Sequence, residues 1–150
     1  MKKWLIVLFL LFTTTSLTFA KIYQIPEELK QDVRNDYKEF KAEASTNESK
    51  FNLAMSYAYT GQIKKGWDLL KTIDRSYSKV VIDTYSKKIE EDPNEWRNYF
   101  KIAFGYFFAK ERETAIDYFY KVLDHKPDMV WAYGFIALIH GEMGEVDTAI

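Results

Sequence analysis

Between Tyr99 and Phe119 the apolar positions follow a helical period and not the alternation of a strand. Tyr99, Ile102, Ala103 and Tyr106 are separated by steps of three, one and three, which places them on one side of a helix at about 100° per residue. The polar run KERET at 110–114 interrupts the pattern, and Ala115 and Phe119 then stand about one turn apart on a second helix. Small side chains at 103 and 115 allow the two helices to approach closely, so the segment reads as an antiparallel hairpin. On the first helix Phe100, Phe104, Phe107 and Phe108 gather roughly opposite the Tyr99 set, which makes it apolar nearly all round.

Shifting the chain by 34 positions aligns Pro93 with Pro127, Tyr99 with Tyr133, Ile102 with Ile136, Ala103 with Ala137 and Ala115 with Ala149. A constant shift of this kind marks an internal repeat. A looser earlier copy holds Leu53, Ala54 and Tyr57, Gly61 at the turn, and Leu70 and Ile73 beyond it, with Ser45 and Glu48 spaced as a capping box at its start. Lys50 replaces its leading aromatic residue and Gly66 its second-helix alanine. Val81, Ile82, Tyr85 and Ile89 predict an additional helix between the two copies. Upstream, Pro26 and two glutamates open a stretch whose stripe of Leu29, Val33, Tyr37 and Phe40 predicts a helix lying across the first copy.

The run Tyr99, Ile102-Ala103, Tyr106, Ala115, Phe119 and Pro127 resembles the tetratricopeptide repeat family. The resemblance implies an all-α fold of antiparallel helix-hairpin repeats, stacked as a short right-handed superhelix. Units are expected at 47–76, 96–129 and, incompletely, 130–150, with an inserted helix at 77–92 and an N-terminal segment at 21–46. It further implies a concave groove that takes up another protein or peptide. At the matching positions the groove would be lined by Phe51, Met55 and Tyr59, by Phe100, Phe104, Phe107 and Phe108, and by Trp131 and Leu138. Arg97 would stand at its edge, and the basic and asparagine set that grips a C-terminal carboxylate is not matched. Tyr106 is then structural, while Phe104 and Phe107 are candidates for contact. In a second reading the inserted or N-terminal helix covers the same rings and makes them ordinary core.

The first twenty residues change the picture of where the chain works. Lys2 and Lys3 precede an apolar run from Trp4 to Phe12, and a Thr/Ser-rich stretch ends at Ala20. That order is a secretory signal, with cleavage expected after Ala20 and an exported, extracellular or cell-envelope location. Removing the two lysines leaves 19 basic against 22 acidic residues, a net charge of −3. Such a surface does not recruit nucleic acid or an anionic membrane by charge. The chain has no cysteine, hence no disulfide framework and no thiolate chemistry.

Candidate chemistry is sparse. His125 and His140 are far apart without a carboxylate at ligand spacing, so no metal is expected. Glu28, Asp32 and Asp36 read as a solvated helix face, and the scattered glycines form no phosphate loop. The expectation is a protein that binds other proteins, without cofactor and without enzymatic activity. A second reading makes the repeats the docking arm of a larger envelope enzyme or assembly factor, and a third places a small ligand between aromatic-lined helices.

Overall fold

The computed structural model describes residues 24–42 and 45–144 of the 150-residue chain. The expected signal at 1–20 and the Ala115–Ala149 match lie outside, or reach outside, the described residues. Seven α-helices and no strand are present among the described residues: α1 Glu27–Ala42, α2 Asn47–Tyr59, α3 Ile63–Leu70, α4 Tyr77–Glu91, α5 Trp96–Phe108, α6 Arg112–His125 and α7 Val130–Met143. The fold is all-helical. Neighbours in sequence pack as pairs, α1 on α2, α2 on α3, α4 on α5, α5 on α6 and α6 on α7, and α7 returns to touch α2.

Turn chemistry explains where the helices stop. At the end of α2 the Gly61 and Gln62 amides donate to the Ala58 and Tyr57 carbonyls, at 3.2 and 2.8 Å, with Gly61 in the left-handed region at φ 80°. At the end of α5 the Lys110 and Glu111 amides donate to the Phe107 and Tyr106 carbonyls, at 3.1 and 2.9 Å, with Lys110 at φ 66°. Both are Schellman closures, one built on glycine and one on lysine. At the start of α2 the cap is Thr46, one residue later than the expected Ser45: its hydroxyl accepts the Ser49 amide at 3.2 Å. Ser45 stands just outside with φ 60°.

Close approach is bought by small residues. Ala103 and Ala115 are both completely buried between α5 and α6. On the opposite side of α5, a Cβ at Gly105 would lie 2.9 Å from Ile82 and 3.2 Å from Val81, so this glycine sets the distance to α4. Between α2 and α3, Gly66 lies so near that a Cβ would meet the Ala54 carbonyl at 3.0 Å. The α5 helix is therefore enclosed on several sides, and the core runs through it.

Candidate functional site

The Phe100 and Phe104 rings of α5 meet Phe119 of α6 and Phe135 of α7, with centroids 4.8 to 5.9 Å apart and mostly edge to face. Phe119 and Phe135 stack on each other at 5.5 Å. Tyr59 closes the cluster from α2, 5.3 Å from Trp96 and 5.6 Å from Phe100. Phe51 packs on Tyr77 and Tyr85 of α4. Phe51, Met55, Tyr59, Phe100 and Phe104 are all buried, none more than 2% exposed. The expectation that these five line an open groove is corrected: Phe135 fills the space on one side and α4 covers Phe51 on the other, so the rings are core. The reason is non-local, since the sequence separation from Phe100 to Phe135 hides the contact from helical periodicity.

The remaining expected site residues are partly accessible. Phe107 and Phe108 are half-buried at the end of α5, Trp131 is half-buried, Leu138 is 42% exposed, and the Arg97 side chain is 25% exposed. They do not form one surface. Trp131 lies against the backbone of Gly61, where a Cβ would collide with its ring. Its indole N–H is buried without a hydrogen-bond partner among the described residues. Tyr106 is stacked on Tyr118 at 5.3 Å and half-buried, so the structural role expected for it is shared with the more enclosed Phe104.

Phe107 and Phe108 gain a partner that the repeat pattern does not single out, Trp67 of α3. Its ring stands 5.8 Å from Phe107 and 6.4 Å from each of Phe104 and Phe108. Arg112 fixes this edge: it lies 4.3 Å over the Phe107 ring, donates to the Phe107 carbonyl at 2.6 Å and pairs with Glu142 at 2.9 Å. A cleft of about 620 Å³ opens beside the cluster, lined by Trp67, Leu70, Ile73 and Phe108, with Lys71 and Arg75 on its rim. Thr72 and Asp74 line it as well, so it combines an apolar wall with a polar edge carrying both signs of charge, an arrangement that can take up an amphipathic peptide. The signal available in the sequence was Trp67 at 3.6-residue spacing from Ile63 and Leu70, a pattern that marks a buried stripe without saying which end stays open.

A second cleft, of about 370 Å³, lies between α4, α5 and α6 against Ile89, Tyr99, Tyr118, Lys121 and His125. Tyr99 is stacked on His125 at 4.9 Å and donates its hydroxyl to the Pro93 carbonyl at 3.0 Å. Among the described residues no group of three or more His, Asp or Glu side chains is placed to hold a metal ion. No helix among them is long and apolar enough to cross a membrane.

Electrostatically the unusual region is elsewhere, around Arg97 and Lys101 on α5. Asp32 Oδ2 accepts from Arg97 Nε at 2.8 Å and from the Tyr59 hydroxyl at 3.0 Å. Burial opposes the charge on Arg97, but the hydrogen bonds and charges of Asp32 and Glu95 outweigh it and raise its pKa. Burial pushes the Lys101 ammonium down to about 8, against the pull of Asp36 and Asp32. Asp36 is raised by burial, with the Ser56 hydroxyl and the Lys101 charge acting the other way. Lys101 donates to Asn52 Oδ1 at 3.0 Å, and the Tyr85 hydroxyl donates to the same oxygen at 2.7 Å.

No protein-family model matches the chain, and no curated protein does. Solved structures of MamA are similar to it. One described as MamA MSR-1 C2 is 20% identical, with 83% of this chain and 82% of that chain covered and a TM-score of 0.44. Another, a crystal structure of MamA, is 22% identical over 85% of this chain and 90% of that chain, with a TM-score of 0.45.

Proposed function

We propose that the chain is an exported scaffold that holds another polypeptide, and that the cleft bounded by Trp67, Leu70, Ile73 and Phe108 is its contact surface. The observation that carries this reading is the contrast along one ring cluster: Phe100 and Phe104 are closed off, whereas Trp67 and Phe108 stay half-buried beside open space. Rings that bury part of their area in the fold and retain the rest supply apolar contact at small entropic cost, because their rotamers are already fixed. Burying the free parts of these two rings is worth roughly 1–3 kcal/mol at about 25 cal/mol per Å² before association costs. Export is supported by the order of charged, apolar and small residues at 1–20.

The test is site-specific photocrosslinking in cells. A crosslinker placed at Phe108 should trap a discrete partner, one placed at exposed Tyr120 on α6 should not, and Phe108→Ser in a chain crosslinked from Ile73 should reduce the yield. Equal capture from positions 108 and 120 would remove the cleft from the account. N-terminal sequencing of the processed chain should begin at Lys21; an intact Met1 would rule out cleavage.

A further inference from the structure

The carboxylates of α1 at Glu28, Asp32 and Asp36 are four residues apart and form a single stripe. The expectation of a solvated face is corrected for Asp32 and Asp36, which are half-buried, while Glu28 remains exposed although a cation stands opposite it. Glu28 Oε1 is 3.5 Å from Lys126 Nζ in the α6–α7 connection. Asp32 is held by Arg97 and Tyr59, and Asp36 lies in the field of Lys101. Arg97 and Lys101 are themselves four apart on α5, the spacing of Asp32 and Asp36 on α1, with Arg97–Asp32 the close ion pair between the two stripes. Asn52 of α2 keeps Lys101 in place from the side.

What holds α1 is different in kind from what holds the hairpins. Leu29 is the only buried residue of its sixteen, whereas eight of the thirteen residues of α2 are buried. Tyr37, in the apolar stripe, remains 46% exposed. A helix anchored by one leucine and partly exposed ion pairs belongs to the low end of local stability, and its attachment weakens with salt.

We propose that Arg97, Lys101, Lys126, Asn52 and Tyr59 form a receptor for an acidic amphipathic helix with carboxylates at four-residue spacing, and that α1 occupies it in cis until a partner helix of the same pattern displaces it. Tethering gives α1 an effective concentration of order millimolar, so a partner must outcompete it and uptake is gated. The receptor lies apart from the Trp67–Phe108 cleft, and its failure would leave capture at that cleft untouched.

A fluorescent peptide of residues 24–42 tests this against the full chain. Asp32→Asn with Asp36→Asn in the chain weakens the cis contact, and the peptide should then bind roughly tenfold or more tightly than it binds the unaltered chain. Adding Arg97→Gln should cancel the gain, as should a peptide carrying Glu28→Gln, Asp32→Asn and Asp36→Asn. Equal binding to both chains, or equal binding of the amide peptide, overturns the proposal. Hydrogen exchange on the unaltered chain guards against a variant that fails to fold: α1 amides should exchange roughly tenfold or more faster than those of α5. Exchange of α1 together with α5 would make it core and end the inference. Sedimentation should show a monomer, and a dimer joined by traded α1 helices would make a second copy the occupant and refute a separate partner.

Discussion

Lys101 makes a pH dependence that a surface lysine would not. Its ammonium is faced by Asp32 and Asp36 from α1, Arg97 on its own helix and Lys88 from α4, and it lies 4.8 Å over the Tyr85 ring. Its pKa of about 8 in the folded chain lies below the ordinary 10.5, because burial costs the charged form more than the two aspartates return. Between those values the unfolded chain binds more protons than the folded one, so stability rises with pH through this window. Below pH 8 the cost is fully present. Burial raises the hydroxyl pKa of Tyr59 and of Tyr85, so ionisation of the unfolded tyrosines near pH 10 reverses the trend. Urea unfolding should therefore show a midpoint that climbs from pH 8 to about 9.5 and then falls. Lys101→Met should remove the climb and keep the fall; a climb that persists would place the proton on another group. Lys110 offers a second single-residue test. It adopts φ 66° in a closure whose counterpart after α2 uses glycine. Lys110→Gly should stabilise the chain by about 0.5–1 kcal/mol in the same assay, since glycine enters the left-handed region without a Cβ clash.

At the scale of elements, α5 decides the order of damage. Phe104 touches Phe100, Phe107, Phe119, Phe135 and Trp67, while Tyr106 stacks on Tyr118 and keeps part of its surface in water. Phe104→Ala should cost about 3–5 kcal/mol, and Tyr106→Ala less. Chemical denaturation of the two variants checks this, and the reverse order would mean that the ring cluster is looser than its burial indicates. Gly105→Ala should cost about 1–3 kcal/mol by overpacking against Val81 and Ile82, because both contacts are branched side chains on a helix held elsewhere. The hairpins themselves were legible in the chain. Ala103 and Ala115 are local to one hairpin, and their spacing together with the polar run at 110–114 reports directly on how α5 and α6 meet. Sidedness was not legible. Whether Phe100 faces solvent depends on Phe135, and whether Asp32 is solvated depends on Arg97, 65 residues away; neither distance leaves a trace in a helical period. A carboxylate stripe at four-residue spacing reads the same whether water or arginine lies opposite.

For the whole molecule, the return of α7 to α2 matters more than the number of helices. Repeat arrays whose units touch only their neighbours can unfold one unit at a time. Here Phe135 of α7 packs into the rings of α5 and α6, and Trp131 seats on Gly61 at the α2–α3 turn, so the later helices are tied to the first hairpin. Breaking any one of α2, α5 or α7 exposes the same ring cluster, and the cost of exposure is shared by all three. The six helices after α1 should accordingly unfold in one transition. Two variants, each with either Trp67 or Trp131 as the only tryptophan, should give coincident urea midpoints by fluorescence, since the first reports on α3 and the second on α7. Phe135→Ala should lower both midpoints together, by an amount corresponding to about 3–5 kcal/mol, because Phe135 packs on Phe100 and Phe104 of the shared cluster. If the Trp131 signal melted first and the Trp67 signal later, α7 would be an independent unit and the closed core would be the wrong description of this chain.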